Sequence, residues 1–385
     1  MLVIVVLLSC GSAAFADLSA SSPQKQAYKV RQFSVPNTEA FRFVKGLKVG
    51  LNLGNTFDAH SEGLSNEADY ETVWCGVRTT PGLIAKIKEA GFNTIRIPVS
   101  WHDHLTDSEN FTISESWLSR VNEVVDYCIS QNMYVILNIH HDDGKELLYP
   151  SRAKAGQSVK YITAIWSQLA ERFKSYDEHL IFESMNEPRL IGGLYEWLLL
   201  PISPSCIDAV KQINSYNEAF VNAVRSSGGN NAKRYLLCPG YDASVDGAMN
   251  LGYRIPKDPR VIVAVHAYTP NSFAQQANGV SRWSSKNLLD TAPVTTLMDR
   301  LYCKYIARGI PVLIDEFGAV AKSGNESCRA DYAGFFVANA RARGMSCLWW
   351  DNNIASGSGE RFGLIDRATL NWVYPQIVQA LVNNA

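Results

Sequence analysis

Apolar residues along this chain recur in short dense blocks: Leu47–Leu53, Thr94–Pro98, Tyr134–Ile139, Leu180–Ser184, Arg234–Cys238, Val261–Val265, Pro311–Ile314 and Ser346–Trp350. Each has the length and composition of a strand buried on both faces. Between the blocks the apolar positions change to helical spacing, over Pro81–Ala90, Glu115–Gln131, Val159–Tyr176, Ile207–Ser226, Val294–Arg308 and Ala330–Arg343, with a short fifth helix near Ser244–Leu251. Several of these segments run into a glycine, a frequent helix terminator. Strand–helix alternation predicts a parallel sheet covered by helices, and eight repeats favour closure into a single-domain (β/α)8 barrel over an open doubly wound sheet. No Gly-x-Gly-x-x-Gly turn follows the first strand, which removes the usual support for a dinucleotide fold.

The predicted barrel occupies residues 41–385, preceded by an arm or linker over 17–40 that is rich in Ser, Gln and Lys. The opening Met1–Leu8 run is too short to span a bilayer but suits the apolar part of a signal peptide, and Ala14-Phe15-Ala16 supplies a small-x-small cleavage site. A secreted chain starting near Asp17 is expected. Leu7-Leu8-Ser9-Cys10 also offers a loose lipoprotein-type site, with the protein tethered through Cys10 at the cell surface. No later stretch predicts a transmembrane segment.

Composition narrows the ligand. The 36 Lys and Arg nearly balance the 37 Asp and Glu, so the excess positive charge that nucleic-acid binding draws on is missing. Nine Trp and seventeen Tyr provide flat faces suited to sugars. The cysteines beyond Cys10 have no spacing of the structural-zinc type, and neither a metal nor a cofactor is expected. In an oxidising compartment some of those seven should pair, while Cys128, Cys238 and Cys347 fall in apolar patterns and read as buried thiols.

In barrels of this kind the chemistry gathers where strands end. Polar and aromatic residues out of place in a core do follow seven of the eight blocks: Asn52-Leu-Gly-Asn55, Arg96-Ile-Pro-Val-Ser-Trp101, Asn138-Ile-His140-His141, Glu183-Ser-Met-Asn186-Glu187, His266-Ala-Tyr268, Asp315-Glu316-Phe-Gly318 and Trp349-Trp350-Asp351-Asn352. Adjacent His140 and His141 on an extended segment point to opposite faces, which argues against a shared metal ion.

Asn186-Glu187-Pro188 and Asp315-Glu316-Phe317-Gly318 resemble the catalytic segments of glycoside hydrolase family 5, and the likeness runs from about Phe41 to Leu381. Gly50–Asp58, Ile95–Trp101, Phe182–Arg189, Trp349–Asn352 and Phe362–Asp366 resemble its subfamily 4, home of endoglucanases, xyloglucanases and mixed-linkage glucanases. The resemblance implies a retaining endo-β-1,4-glucanase with Glu187 as acid/base and Glu316 as nucleophile. Arg96, His140, Asn186, His266 and Tyr268 are implied as their support, and an aromatic sugar platform after strand 8 is either Trp350 or Trp349. Asn55, Trp101, His104, His141 and Asn352 are further candidate substrate contacts, with Trp74 another platform. Asn353, where relatives commonly carry Gly, and Asp142-Asp143 after the paired histidines depart from the pattern and bear on loop shape.

Retention needs one carboxyl group protonated and the other ionised, roughly 5–5.5 Å apart. Arg96 and Tyr268 are expected to hold Glu316 ionised, burial to raise Glu187, and Asn186 to bind the sugar's 2-hydroxyl. The expected partner is a β-glucan polysaccharide substrate, and the chain is expected to work as a monomer. A β-mannanase of the same family, or a binding protein that keeps the barrel without catalysis, are the competing readings.

Overall fold

The computed structural model describes residues 28–143 and 147–385. The segment expected to be a signal peptide, and Cys10 within it, lie outside the described residues. Eight parallel strands close into a barrel: β1 Val49–Leu53, β2 Thr94–Ile97, β3 Tyr134–Asn138, β4 Leu180–Glu183, β5 Leu236–Ser244, β6 Val261–His266, β7 Val312–Phe317 and β8 Ser346–Asp351. β8 returns to β1 with Val49 opposite Cys347 and Leu53 opposite Asp351. All eight predicted strands are present.

The strands read as near-continuous apolar runs because both faces are covered. Inside the barrel, Ile136, Ile181, Leu237, Ile262, Leu313 and Leu348 form the inner cluster. Outside, the alternate residues pack against α2 (Pro81–Glu89), α3 (Glu115–Ser130), α4 (Ala155–Arg172), α5 (Pro204–Ser226), α8 (Leu288–Lys304) and α9 (Glu326–Ala342). The first helix, α1 (Glu39–Gly46), was not anticipated as an element. It plugs the bottom of the barrel: Phe43 stacks on Tyr235 with centroids 3.9 Å apart, and Val44 and Leu47 are fully buried. Residues 28–38 carry no helix or strand and lie along the barrel, Tyr28 donating to the Asp331 carbonyl and Tyr302 to that of Ser34.

Helix boundaries moved where caps decide them. α5 begins at Pro204, a residue preorganised for a first turn, not at Ile207. α8 begins at Leu288, capped by Asn287, and runs through Pro293, whereas the apolar spacing predicts a start after the proline. Proline removes the hydrogen bond to the Leu289 carbonyl, and Leu289 is 83 % exposed, so water can take the partner's place. The short predicted helix appears as α6 (Val245–Met249), followed by α7 (Asn271–Ala274), and α10 (Pro375–Asn383) packs against α9.

One irregularity positions a functional group. Between Pro239 and Ser244 the β5–β6 register shifts, with Asp242 and Ala243 at φ 59° and 43°. Such bulges re-aim a side chain at a barrel rim, and Asp242 is turned to the groove beside Glu187. All seven described cysteines are free, correcting the expectation of pairing: they are distributed over separate helices, strands and loops, five of them buried. Among the described residues no helix is long and apolar enough to cross a membrane.

Candidate active site

The C-terminal ends of the strands converge on Arg96, a side chain with no exposed surface. Burying a guanidinium demands acceptors for its whole fork, and five contacts supply them. Glu183 on β4 accepts from Nε and Nη2 at 2.6 and 2.7 Å, Asn186 accepts from Nη2 at 2.8 Å, and Nη1 donates to Asn52 at 2.9 Å and to Glu316 Oε1 at 2.5 Å. Asn52 in turn donates to the carbonyls of Asp315 and Trp349, which ties β1 to β7 and β8. Glu183 and Asn52 lie within the strand-end segments, yet nothing in their residue type singled them out as partners of Arg96.

Glu316, at the end of β7, also accepts from the Tyr268 hydroxyl at 3.0 Å. His266, at the end of β6, stands between the two glutamates: Nδ1 is 2.6 Å from Glu187 Oε1 and 3.5 Å from Glu316 Oε2. Oxygens of Glu187 and Glu316 lie within 4.8 Å of each other. The expected closeness is present.

The expected division of protons is not. Burial pushes Glu187 up, but the hydrogen bond and charge of His266, with Arg189 adding to them, bring it below the ordinary carboxylate range. Burial raises Glu316 above that range despite the charges of His266 and Arg96. Against its own burial, His266 is lifted to about 9 by the two carboxylates. In the free site the proton therefore belongs to the imidazole between the glutamates, because an imidazolium in contact with both offsets more charge than a proton on either.

His140 is buried and held neutral, its burial reinforced by nearby cations. Its ring lies parallel to Trp350 with centroids 5.7 Å apart. Trp350 presses against Gly54, where a Cβ would come within 2.7 Å of the indole, so only glycine admits the ring. Arg367, which the sequence reading did not single out, joins Gly54 and Thr56 of the loop after β1 to Asp351 of β8 and holds that wall in place. Asn353 adopts φ 61°, a conformation asparagine tolerates better than most residues, so its departure from glycine preserves the turn.

Several predicted contacts fall away from the cleft. Trp349 has no exposed surface and donates to the Phe362 carbonyl. Trp101 is equally buried, donating to the Asn138 carbonyl. His104 is stacked on Trp117 at 3.6 Å and bound to Glu67, and Asn352 is spent on the Glu360 carbonyl and the Ile354 amide. His104 is thus packed on α3, and Asn352 shapes the loop after β8. Half-buried His141 and Asn55 and partly exposed Trp74 remain at the surface.

Beside Glu187 a groove of about 710 Å³ is lined by Trp197, Asp242, His266, Tyr268 and Thr269. Arg189 lies over the Trp197 ring at 4.3 Å and bonds Asp143 at 2.6 Å. Asp242, raised to about 8 by burial and the charge of Glu187, keeps one buried oxygen without a partner. Burial and Glu183 likewise raise Asp315 to about 7. Trp197, Arg189 and Asp242 come from a long loop and a bulge, for which periodicity carries no signal.

A closed barrel with two close carboxylates at its strand ends, one on an arginine and both on one imidazole, has the form of a glycoside hydrolase. The model of the cellulase family, glycosyl hydrolase family 5, matches residues 56–356, and the chain belongs to that family. It is 42 % identical over 349 residues to endoglucanase A of Clostridium longisporum, covering 89 % of this chain and 65 % of that one. Identity to the cellulase/esterase CelE of Acetivibrio thermocellus is 41 % over 348 residues, 90 % of this chain and 40 % of that one. The chain thus spans less than two thirds of these relatives. A family 5 lichenase from a Caldicellulosiruptor species superposes with a TM-score of 0.92 at 51 % identity, over 93 % of this chain and 98 % of the other. A mutant of a lichenase from the same source has been crystallised with cellotetraose.

Proposed function

We propose that this chain is a retaining endo-β-1,4-glucanase acting on β-glucans, with Glu187 as acid/base and Glu316 as nucleophile. The observation that carries the reading is the Glu187–His266–Glu316 cluster, its donor atoms within 4.8 Å of one another. An inverting pair must stand roughly 6.5–9.5 Å apart to admit water behind the sugar, and a retaining pair is closer. Names of the relatives, endoglucanase and lichenase, support a glucan backbone.

In the first step a Glu316 oxygen attacks the anomeric carbon as the glycosidic C–O bond breaks. The leaving oxygen takes a proton from Glu187, which draws it from His266 Nδ1 at 2.6 Å. Arg96 and Tyr268 orient the attacking carboxylate. Asn186, its carbonyl committed to Arg96, keeps its amide protons for the sugar's 2-hydroxyl, a contact that strengthens in the transition state. Esterification removes the charge of Glu316. Glu187 then takes a proton from water as that water attacks the same carbon and frees Glu316. Trp350, 7 % exposed beside His140, is the sugar platform.

The scheme is written for a monomer. The apolar opening followed by Ala14-Phe15-Ala16 supports export, since a polymeric substrate must be met outside the cell. Hydrolysis of barley β-glucan, xyloglucan, carboxymethyl-cellulose and mannan, with anomeric configuration followed by NMR, tests the reading. Glucan cleavage with retained configuration is expected. Cleavage of mannan alone would overturn the specificity, and inverted configuration the mechanism.

A further inference from the structure

Three side chains outside the catalytic cluster converge on the cleft rim. His60 comes from the loop after β1, and His102 and Asp103 from the turn after β2; one donor atom of each lies within 4.8 Å of the others. His102 Nε2 stands 3.5 Å from Asp103 Oδ1. Two ligands about 2.0–2.1 Å from a tetrahedral zinc ion are roughly 3.3 Å apart. The spacing already suits an ion.

Each donor is also presented by its neighbours. Asp142, fully buried and bound by the Trp101 and His102 amides and the Tyr161 hydroxyl, holds His102 Nδ1 and leaves Nε2 facing outward. A carboxylate behind a histidine is the usual device for orienting a metal ligand. Asp103 uses Oδ2 to accept from the Ser61 amide at 3.3 Å, which leaves Oδ1 for the cluster. His60 is exposed, and among the described residues neither of its ring nitrogens has a hydrogen-bond partner. Its ring is kept in place by Trp74, His141 and His102, with centroids 5.1, 5.7 and 5.8 Å away.

We infer that His60, His102 and Asp103 form a binding site for a divalent transition ion of the zinc class. Two imidazoles and one carboxylate select zinc, nickel or copper over calcium or magnesium. The fourth position opens to solvent. An ion displaces the outer proton of His102, as for any histidine ligand, and pins the loop after β1 to the turn after β2 in the wall that carries Trp74 and His141. This departs from the expectation that the chain holds no metal, and it does not depend on the glucanase reading.

The test is calorimetric titration of zinc into the chelator-treated full chain, with the visible spectrum of bound cobalt as a second readout. One ion per chain is expected. His60→Ala and Asp103→Asn each weaken binding about tenfold or more and abolish the tetrahedral cobalt bands, while His179→Ala, on a distant surface ion pair, leaves both unchanged. Circular dichroism checks that the variants are folded. Absence of stoichiometric binding, or binding indifferent to His60→Ala and Asp103→Asn, overturns the site. Binding abolished by Glu316→Gln also overturns it, because the ion then sits among the catalytic carboxylates.

Discussion

Glu183 grips Arg96 through two hydrogen bonds of 2.6 and 2.7 Å, with neither side chain exposed. The pair fixes the guanidinium plane and with it the donors that reach Glu316 and Asn186. Removing Arg96 leaves the buried Glu183 charge without its arginine, and removing the Glu183 charge leaves Arg96 with Glu316 as its remaining buried carboxylate partner. Glu183→Gln should therefore destabilise the fold by about 3–5 kcal/mol, and Arg96→Met should do the same while also losing activity. Denaturant unfolding checks both; a change under 1 kcal/mol, roughly a surface-pair value, would mean Glu183 is dispensable.

The alkaline limit of activity should follow His266. Its folded-state pKa is raised from 6.5 to about 9. The pairing it provides is thus complete below the unfolded value and is lost as pH rises through about 9. The kcat/KM profile should fall over the same range as the shared proton leaves. His266→Gln should move that limb to lower pH, where Glu187 alone sets it. An unmoved limb would assign it to another group.

The two glutamates should separate by leaving group. Glu187→Gln should lower kcat/KM on glucan by about 10²–10⁴-fold, and far less on an aryl glycoside whose phenolate departs without a proton. Glu316→Gln should abolish both, since no other group can form the ester. Steady-state rates on the two substrates check this, and equal losses from both variants on the aryl glycoside would reverse or void the assignments.

Neighbouring tryptophans should behave as different kinds of residue. Trp349→Ala empties a core position and should destabilise by about 3–5 kcal/mol. Trp350→Ala, on the cleft wall, should raise KM for glucan by about tenfold with a smaller loss of stability, in the range of an aromatic binding anchor. Thermal unfolding and kinetics on both variants decide it; the opposite pattern would put Trp349 on the sugar.

Much of this molecule was legible in one dimension. The eight strands declared themselves because a sheet covered on both faces needs unbroken apolar runs, and those runs are local in sequence. That Arg96, Glu187, His266, Tyr268 and Glu316 would meet followed from each lying at the end of such a run, since closure brings strand ends to one mouth. Helix starts at Pro204 and Leu288 were less legible, because capping and solvation of a single carbonyl decide them.

Tertiary structure alone decided which residues work together and which proton belongs where. Alternation places Trp349 and Trp350 on opposite faces but does not say which face is the cleft; packing of Trp349 against Phe317 does. Trp101, His104 and Asn352 sit beside the catalytic segments in sequence and still point into the core. The charge on His266, and the roles of Glu183 and Asp242, depend on close approach between groups far apart in sequence, such as the 2.6 Å from His266 to Glu187 and from Arg96 to Glu183, where Coulomb energy and desolvation change steeply. Residue type and order determine which chemistry is available to this chain. Separation and burial, set only by the closed barrel, determine which of it is used.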